Sequence, residues 1–433
     1  ENFEDNSARL FNLRDDVGES TNLVARHPQV ADQLRAQLRD WRARVAAPVP
    51  QQANPQFDPV AADRFANPNA PLGPFQATGF KVGEVTPTSA IVWTRLTLRR
   101  ERNDSDGPRV IVKHGAVPDI DNRQQPVVAV EFENRATVRD LREAVPGVDG
   151  DVRLRYRPRG IESYWRATAW RPVDALRDFT HQFQIAGLEP GTSYELQVDS
   201  RDVAGDRGQS IRGLFRTAPA VDAASRVVFT VSTGQGNDDQ DRPDGFNIYP
   251  EMRKLDPDFF VHTGDIVYYD NLAKTLALAR YHWQRTYSWP TNVDFHRHVA
   301  SSFIKDDHDT WINDCWPTQS TPHMHDFTFR QGQAVFREQV PMGERTYRTR
   351  RWGRDLQVWL VEGRDFRTAN RAPDGPEKTI WGAEQKAWLK QSFAASDATF
   401  RILISPTPIV GPDRDSKKDN HSNAAFAHEG NEI

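Results

Sequence analysis

Strand-like segments in the second half of the chain are repeatedly followed by acidic or histidine side chains. Between residues 219 and 433, helical patterns alternate with the apolar runs VVFTVSTG, DFFVHTGD, SSFIKDDHD, LQVWLVEGRD and FRILISPTP. Strand–helix alternation favours an α/β fold with a largely parallel sheet. Because ligands bind beyond the carboxyl ends of such strands, we expect the residues that follow each run to meet in one crevice.

These predicted strand ends carry mostly hard oxygen ligands. Asp265 follows the second run, and Asp306, Asp307 and His308 follow the third. A pocket with several carboxylates is unfavourable unless cations occupy it. Carboxylates with an imidazole suit calcium, manganese, iron or zinc. The sequence therefore predicts a metal centre with Asp265 as its central ligand. Other polar residues at these ends are Asp309, Glu362, Arg364, Asp365, Asp413, Asp419, Asn420 and His421.

The segment Gly264-Asp265-x-x-Tyr268 is the sharpest local motif. Glycine allows a tight turn after the strand, and the two carboxylate oxygens of Asp265 can bridge a pair of metals. Tyr268 is either a phenolate ligand of the same metal or a core aromatic. The sequence contains no G-x-S-x-G motif and no P-loop, which disfavours serine hydrolases and kinases. Metal-assisted hydrolysis is the predicted chemistry.

Residues 76–218 are predicted to form an all-β sandwich of the immunoglobulin or fibronectin type III kind. The segment GFKVGEVTPTSAIVWTRLT contains two strand-like runs separated by a turn. Leu188, Pro190 and Tyr194 have the spacing of a tyrosine corner before an alternating strand. The basic cluster Arg153–Gly160 is either an anion contact or, as we prefer, a solvated loop. The expected role of this domain is packing and positioning.

Residues 1–50 are predicted to contain one amphipathic helix that begins near Pro28. Its apolar stripe consists of Val30, Leu34, Leu38, Trp41 and Val45. Residues 51–75, rich in Pro, Ala, Asn and Gln, are predicted to be a linker.

The bulk composition excludes several function classes. A net charge of −4 gives no reason to expect a nucleic acid as partner. No apolar run approaches the roughly 20 residues that a membrane span needs. The single cysteine, Cys315, excludes an intramolecular disulfide and a Cys-based zinc site.

The order of the motifs resembles the alkaline phosphatase D (PhoD-like) family of metallophosphoesterases. VHTGDIVYYD, IKDDHD, EGRDFR, GAEQKAWL and SPTPIVGPD follow one another as in that family, and GFKVGEVTPTSAIVWTR resembles its N-terminal domain. The resemblance covers residues 76–433. It implies a layered α/β metallophosphoesterase fold and hydrolysis of phosphate mono- or diesters by metal-activated hydroxide. It also implies calcium and iron as cofactors and a periplasmic or extracellular location.

The same resemblance implies roles for individual residues. Asp265 would be the bridging ligand, Tyr268 the iron-binding tyrosine and Asp307 a ligand of the second metal. His308 would lie near the phosphate as a catalytic residue. Arg364 and Arg367 match a family motif, and their side chains could orient phosphate. Salt bridges inside the domain explain the two arginines equally well. The second-tier candidates are Asp306, Asp238, Asp413, Asp419 and Asn420.

Two departures from the family pattern bear on the site. Gly234 stands where the family has an iron-binding cysteine, so iron would need another ligand, such as Asp238 or Asp239. The family's late histidine motifs do not occur, so we expect residues 219–433 to be a phosphatase domain truncated at its C-terminus. His323 and His325 have metal-like spacing, but a surface loop explains them better.

The segment LFNLRDDVGESTNLVARHPQV resembles the C-terminal tail of sulfatases. This resemblance implies a longer polypeptide in which a sulfatase domain is linked upstream. Two alternative functions stay open. A purple acid phosphatase-like hydrolase also uses Gly-Asp-x-x-Tyr, but the Asp-Asp-His phrase argues against it. A catalytically dead binding module attached to a sulfatase is favoured by Gly234 and opposed by the retained Asp265, Tyr268, Asp307 and His308.

Overall fold

A computed structural model describes residues 8–14, 16, 22–45, 73–115, 127–161, 165–411, 413–414 and 416–433. The chain divides into two compact units, Glu1–Leu72 and Gly73–Ile433. Most of the predicted linker, residues 51–72, lies outside the described residues. No described helix is both long and apolar enough to cross a membrane.

The first unit contains the predicted amphipathic helix, α1 (Pro28–Arg44), with proline in its first turn. Its apolar stripe is largely open to solvent: Val30, Leu34 and Trp41 are 46%, 47% and 50% exposed. The helix is therefore confirmed, and its stripe is only partly covered.

The β-rich region consists of antiparallel sheets. Its strands are β1 (Phe80–Gly83), β2 (Ser89–Arg95), β3 (Val110–His114), β4 (Val127–Phe132), β5 (Asp151–Pro158), β6 (Arg166–Ala167), β7 (Arg171–Pro172), β8 (Thr180–Ala186), β9 (Ser193–Arg201) and β10 (Arg207–Arg216). One sheet has the order β1-β2-β8, a second has the order β10-β9-β5-β6 with β7 beside β5, and β3 pairs with β4. The hydroxyl of Tyr194 accepts a hydrogen bond from the backbone N–H of Glu189 at 2.8 Å, which is the predicted tyrosine corner.

Strands and helices alternate in the second part of this unit, as predicted. The elements are β11 (Phe229–Ser232), α2 (Ile248–Lys254), β12 (Phe259–His262), α3 (Tyr269–Leu272), α4 (Leu276–Tyr287), α5 (Pro290–His296), β13 (Ser301–Phe303), α6 (Phe329–Gln339), β14 (Arg348–Trp352), β15 (Leu356–Leu360), α7 (Gly382–Ala394), β16 (Phe400–Ile404) and α8 (Ala427–Glu432). Strands β11, β12 and β13 form a parallel sheet. Strand β15 pairs parallel with β16 and antiparallel with β14. The carboxyl ends of β11, β12 and β13 therefore meet at one edge, where the acidic motifs follow.

The β-rich sheets and the α/β sheets share one apolar core. Val82 and Val152 from the first part pack in the same cluster as Val261 and Leu360 from the second. The ammonium of Lys81 is buried, donates to the carbonyl of Gln339 at 3.0 Å, and lies over an aromatic ring 3.5 Å away. Residues 73–433 consequently pack as one body, and the proposed sequence boundary at residues 218–219 stays a prediction.

Candidate metal centre

The turn after β12 requires glycine, because of its backbone conformation and because the next loop packs closely against it. Gly264 has φ +113°, and a Cβ there would lie 2.7 Å from the backbone nitrogen of Asp306. A side chain at this position would therefore separate the loops that follow β12 and β13. Asp265 has φ +54°, which is left-handed backbone that aspartate and asparagine tolerate better than most residues. The backbone N–H of Gln235 donates to the carbonyl of Asp265 at 2.7 Å, which ties the turn to the end of β11.

Three predicted site residues converge at this edge. Asp265, Asp307 and His308 each offer one ligand atom, and these atoms lie within 4.8 Å of one another. Among the described residues, this is the group of His, Cys, Asp and Glu side chains that could hold a metal ion. Oδ1 of Asp265 is buried without a hydrogen-bond partner. A buried carboxylate oxygen without a donor is costly, and a cation would satisfy it.

The carboxylates of this cluster repel one another in a desolvated space. Burial, followed by the charges of Asp306 and Asp307, raises the pKa of Asp265 to about 9. Burial also raises the pKa of Asp306 to about 7, although Arg364 opposes that shift. For Asp307 burial acts in the same direction, but Arg364 and His308 hold its pKa well below the usual value. The charge of His308 opposes the shift at Asp265 without cancelling it, and the donor set of the cluster fits a metal.

His308 is held by a carboxylate that the sequence analysis did not single out. Its Nδ1 lies 2.9 Å from Oδ2 of Asp270. Burial disfavours the charged ring, but the hydrogen bond and charge of Asp270, with Asp307 and Asp265, raise the pKa of His308 to about 10. Because Nδ1 is engaged, Nε2 is the ring nitrogen left for a ligand or substrate. Asp270 follows Tyr268 by two residues in VYYD, and that proximity was the available signal.

Asp309 holds the two ligand-bearing loops together. It is fully buried and accepts hydrogen bonds from the backbone N–H groups of Asp306 at 2.6 Å and Ile266 at 3.2 Å. Burial raises its pKa to about 7. This geometry makes Asp309 a brace between the loops that carry Asp265 and Asp307.

Tyr268 lies beside His308, with ring centroids 4.5 Å apart. A Cβ atom placed on Gly234 would lie 3.8 Å from the hydroxyl oxygen of Tyr268. A side chain at position 234 would thus extend next to this phenol, where the resemblance expects a cysteine. Burial and the nearby carboxylates, Asp265 first, raise the pKa of Tyr268. The proposed substitute, Asp238, is 71% exposed at its side chain and lies 3.4 Å from Arg285.

Both predicted phosphate-orienting arginines are engaged inside the protein. Arg364 is 1% exposed, and its Nε donates to Oδ1 of Asp306 at 2.6 Å. Another of its nitrogens lies 3.5 Å from Oδ2 of Asp419. Arg367 is 3% exposed and donates to the carbonyl of Asp419 at 2.5 Å. Arg364 therefore forms the internal salt bridges that were the alternative explanation. Arg367 forms internal hydrogen bonds. That these two arginines bind the substrate stays a prediction, and none of the contacts given above supports it.

The late polar segment is organised by its own contacts. Asn420 donates to Oδ2 of Asp413 at 2.7 Å. His421 is buried, and its Nε2 lies 2.9 Å from a carboxylate oxygen of Glu429. Asp419 connects with the centre through Arg364. His323 is not among the residues that form the metal-compatible group in the described chain.

A pocket of about 480 Å³ lies beside the triad. Tyr268 and His308 line it together with Asp270. Its remaining wall includes His282 and Arg285 of α4, which the sequence analysis passed over. Their i, i+3 spacing, which places two residues on one face of a helix, is the signal that could have indicated them. Other lining residues are Gly236, Asn237, Asp238, Asp239, Val267, Thr286 and Asn313.

Comparisons with known proteins agree with the predicted fold. Residues 229–432 match the family model "PhoD-like phosphatase". The solved "Structure of PhoD" is similar with a TM-score of 0.61 and 16% identity, covering 82% of this chain and 67% of that chain. A purple acid phosphatase from yellow lupin seeds aligns with a TM-score of 0.45 and 14% identity, over 78% of this chain and 51% of that chain. A sequence comparison with curated proteins gives no significant match.

These findings confirm the fold class, an α/β phosphatase region preceded by β-sheets. The family match covers the strands β11 to β16 and every residue of the candidate metal centre. Residues 229–432 therefore match the PhoD-like phosphatases, the family that the order of the sequence motifs predicted.

Proposed function

We propose that this chain is a metal-dependent phosphoesterase whose centre is held by Asp265, Asp307 and Tyr268. The observation that carries the proposal is the carboxylate of Asp265, which has a buried, unpartnered Oδ1 and a ligand atom within 4.8 Å of those of Asp307 and His308. The match of residues 229–432 to a phosphatase family supports it independently. Hydrolysis of a phosphate ester is the reaction that agrees with both the metal-compatible cluster and the family match.

Metals bound here would polarise the phosphoryl oxygens and lower the pKa of a water nucleophile. Asp265 is proposed as the bridging ligand because a carboxylate offers two oxygens and its turn is tied to the end of β11 through Gln235. Tyr268 is proposed as the iron ligand, and Asp307 as a ligand of the second metal, with calcium there. Gly234 leaves the iron position without the family's thiolate, so Asp238 or Asp239 is the proposed substitute.

His308 is proposed as the catalytic residue of this chain. Asp270 fixes its ring through Nδ1, so Nε2 can face a substrate oxygen in the adjoining pocket. A positively charged imidazole there would stabilise charge on the phosphoryl group and donate a proton to the leaving oxygen. Asp309 braces the two loops so that these groups keep their spacing.

A catalytically dead binding module is the second candidate, and Gly234 is the observation in its favour. Loss of one ligand would weaken metal binding while the fold persists. The buried carboxylates oppose this alternative, because selection for binding alone would not require a repulsive cluster of acidic groups.

The test combines metal analysis with kinetics. The chain is purified and assayed for bound metal and for hydrolysis of a phosphomonoester and a phosphodiester. We expect stoichiometric metal and hydrolysis of at least one ester, with both lost in Asp265→Asn. A protein that binds no metal and cleaves neither ester would refute the enzyme and leave the binding module.

The sulfatase link and the exported location stay predictions from resemblance. Fractionation of the source cells, with detection of the full polypeptide by antibody, tests both. A polypeptide found inside the cell, or one of the mass of the phosphatase region alone, would contradict them.

A further inference from the structure

One face of helix α4 lines the same pocket as His308 and Asp270. His282, Arg285 and Thr286 lie on this face, at the i, i+3 and i+4 positions. All three are at least nine-tenths buried in the folded chain. Polar groups of α4 therefore line the pocket together with His308, Asp270, Asp238 and Asp239.

Arg285 is incompletely paired for a buried cation. It is 7% exposed, and its Nε has no hydrogen-bond partner. Its NH1 lies 3.4 Å from Oδ1 of Asp238, a side chain that is itself 71% exposed. Ion pairs with such exposed partners contribute little. His282 is 2% exposed, and its Nε2 also lacks a partner.

A second arginine, Arg102, interacts electrostatically with Arg285. Arg102, from the β-rich part, lies 3.9 Å over the ring of Trp289 and 3.1 Å from a carboxylate oxygen of Glu143. Its three guanidinium nitrogens have no hydrogen-bond partner of good geometry. Burial lowers the pKa of Arg102 to about 10, an effect that Glu143 opposes and that the charge of Arg285 strengthens.

We propose that Arg285 and His282 form a second anion-binding subsite, which receives a negatively charged group on the leaving-group side of the substrate. The inference rests on the proposed function and adds the substrate class, a phosphate ester whose alcohol part carries a carboxylate or a further phosphate. The reacting phosphoryl group lies at the His308 side, and the second anion lies at the α4 side. A volume of about 480 Å³ accommodates such a small ester.

The experiment compares two esters that differ in the distal charge, phenyl phosphate and 4-carboxyphenyl phosphate. Wild type and Arg285→Gln are assayed on both, so differences in leaving-group reactivity cancel within each substrate. We expect Arg285→Gln to lower kcat/KM for the carboxylated ester by about tenfold or more, the effect of losing one charge-assisted hydrogen bond. For phenyl phosphate we expect less than a twofold change.

Arg280→Gln is the matched control on the same helix. Arg280 pairs with Glu338 at 2.6 Å and lines a different pocket. Its substitution removes a partly buried ion pair from α4 without touching the proposed subsite. We expect both esters to respond equally to it. His282→Asn provides a second variant if Arg285→Gln does not fold, and the same selective loss is expected.

Three results would overturn the proposal. An equal loss on both esters would assign Arg285 to the reacting phosphate, and no loss on either would leave the wall without a binding role. Equal selectivity in Arg280→Gln would indicate a general effect on the helix.

Binding of 4-carboxyphenylphosphonate and phenylphosphonate, measured by calorimetry, separates the subsite from catalysis. If wild type hydrolyses neither monoester, the phosphodiester assay decides the proposed function, and binding alone decides the subsite. Stronger binding of the carboxylated phosphonate that Arg285→Gln abolishes would still support the subsite, and its absence would refute it.

Discussion

His308 and Asp270 form a hydrogen-bonded pair beside the candidate metal centre, with 2.9 Å between Nδ1 of the imidazole and Oδ2 of the carboxylate. The pair fixes the plane of the imidazole ring and leaves Nε2 as the ring nitrogen available to a ligand or substrate. Carboxylate partners of this kind orient histidines in metal sites generally. Asp270 is thus a positioning residue, and its removal should change both activity and stability.

Asp270→Asn is expected to lower kcat by about tenfold or more with a smaller effect on KM, because the ring loses its orienting charge. The raised pKa of His308, about 10, also predicts a pH-dependent stability difference. A group whose pKa is higher in the folded than in the unfolded state contributes its full stabilisation below the unfolded value, about pH 6.5. That stabilisation decreases as the pH rises and is lost above about pH 10. Denaturation of the metal-free proteins between pH 5 and 10 measures this difference.

The advantage of wild type over Asp270→Asn should be about 1.5–3 kcal/mol at the acid end of this range and small at pH 10. A difference that is constant with pH would show that Asp270 acts by packing alone. His298→Gln is the control, since that histidine has a lowered pKa and a partner outside the centre.

Asp265→Asn is expected to abolish hydrolysis and yet stabilise the metal-free protein. The raised pKa of Asp265, about 9, means that the folded chain binds a proton which the unfolded chain releases near pH 4. Stability of the wild type therefore falls as pH rises from about 4 to 9. Asparagine removes the charge and tolerates the left-handed backbone at this position.

Urea denaturation in the presence of a chelator tests this prediction. At pH 9 the variant should be more stable than wild type by about 1 kcal/mol or more, the equivalent of one pKa unit. Near pH 4 the two should be equal. A variant that is less stable at every pH would mean that Asp265 makes structural contacts which outweigh its repulsion.

The sequence predicted the residues that follow strands, because strand ends in a parallel sheet meet at one edge. Asp265, Asp307 and His308 converge for that reason. It did not predict the wall formed by His282 and Arg285, since the position of α4 over that edge depends on tertiary packing against α6 and the β-rich part. Local spacing also could not distinguish a phosphate-binding Arg364 from the buried ion-paired one.

Arg364 is expected to be required for folding more than for substrate binding. It is 1% exposed and lies within 4 Å of carboxylate oxygens of Asp306, Asp307 and Asp419. Breaking a buried ion-pair network leaves uncompensated charges, so Arg364→Gln should lower the free energy of unfolding by about 3–5 kcal/mol. Lys254→Gln, which breaks an exposed pair with Glu251, should cost at most about 1 kcal/mol. Normal stability with a raised KM in Arg364→Gln would instead support substrate binding.

Metal affinity is expected to rise with pH between about 6 and 9. Burial, with the charges of Asp306 and Asp307, raises the pKa of Asp265 to about 9 in the metal-free chain. A metal-binding carboxylate must be deprotonated, so binding must release this proton. Calorimetric titration with manganese in two buffers of different ionisation enthalpy counts the released protons. Release of about one proton or more at pH 7 is expected, and none would contradict the raised pKa.

Gly234→Cys is expected to increase iron retention, because the thiol would extend beside the Tyr268 hydroxyl. A Cβ at this position meets that hydroxyl at 3.8 Å, so space is available. The backbone is a cost, since φ is +64° and left-handed backbone disfavours a side chain by about 1–2 kcal/mol. Gly234→Ala carries the same strain without a ligand, so the comparison of the two variants isolates the thiol. Iron content and a visible tyrosinate-to-iron absorption, lost in Gly234→Cys combined with Tyr268→Phe, provide the readout. Equal iron in the cysteine and alanine variants would show that position 234 does not reach the metal.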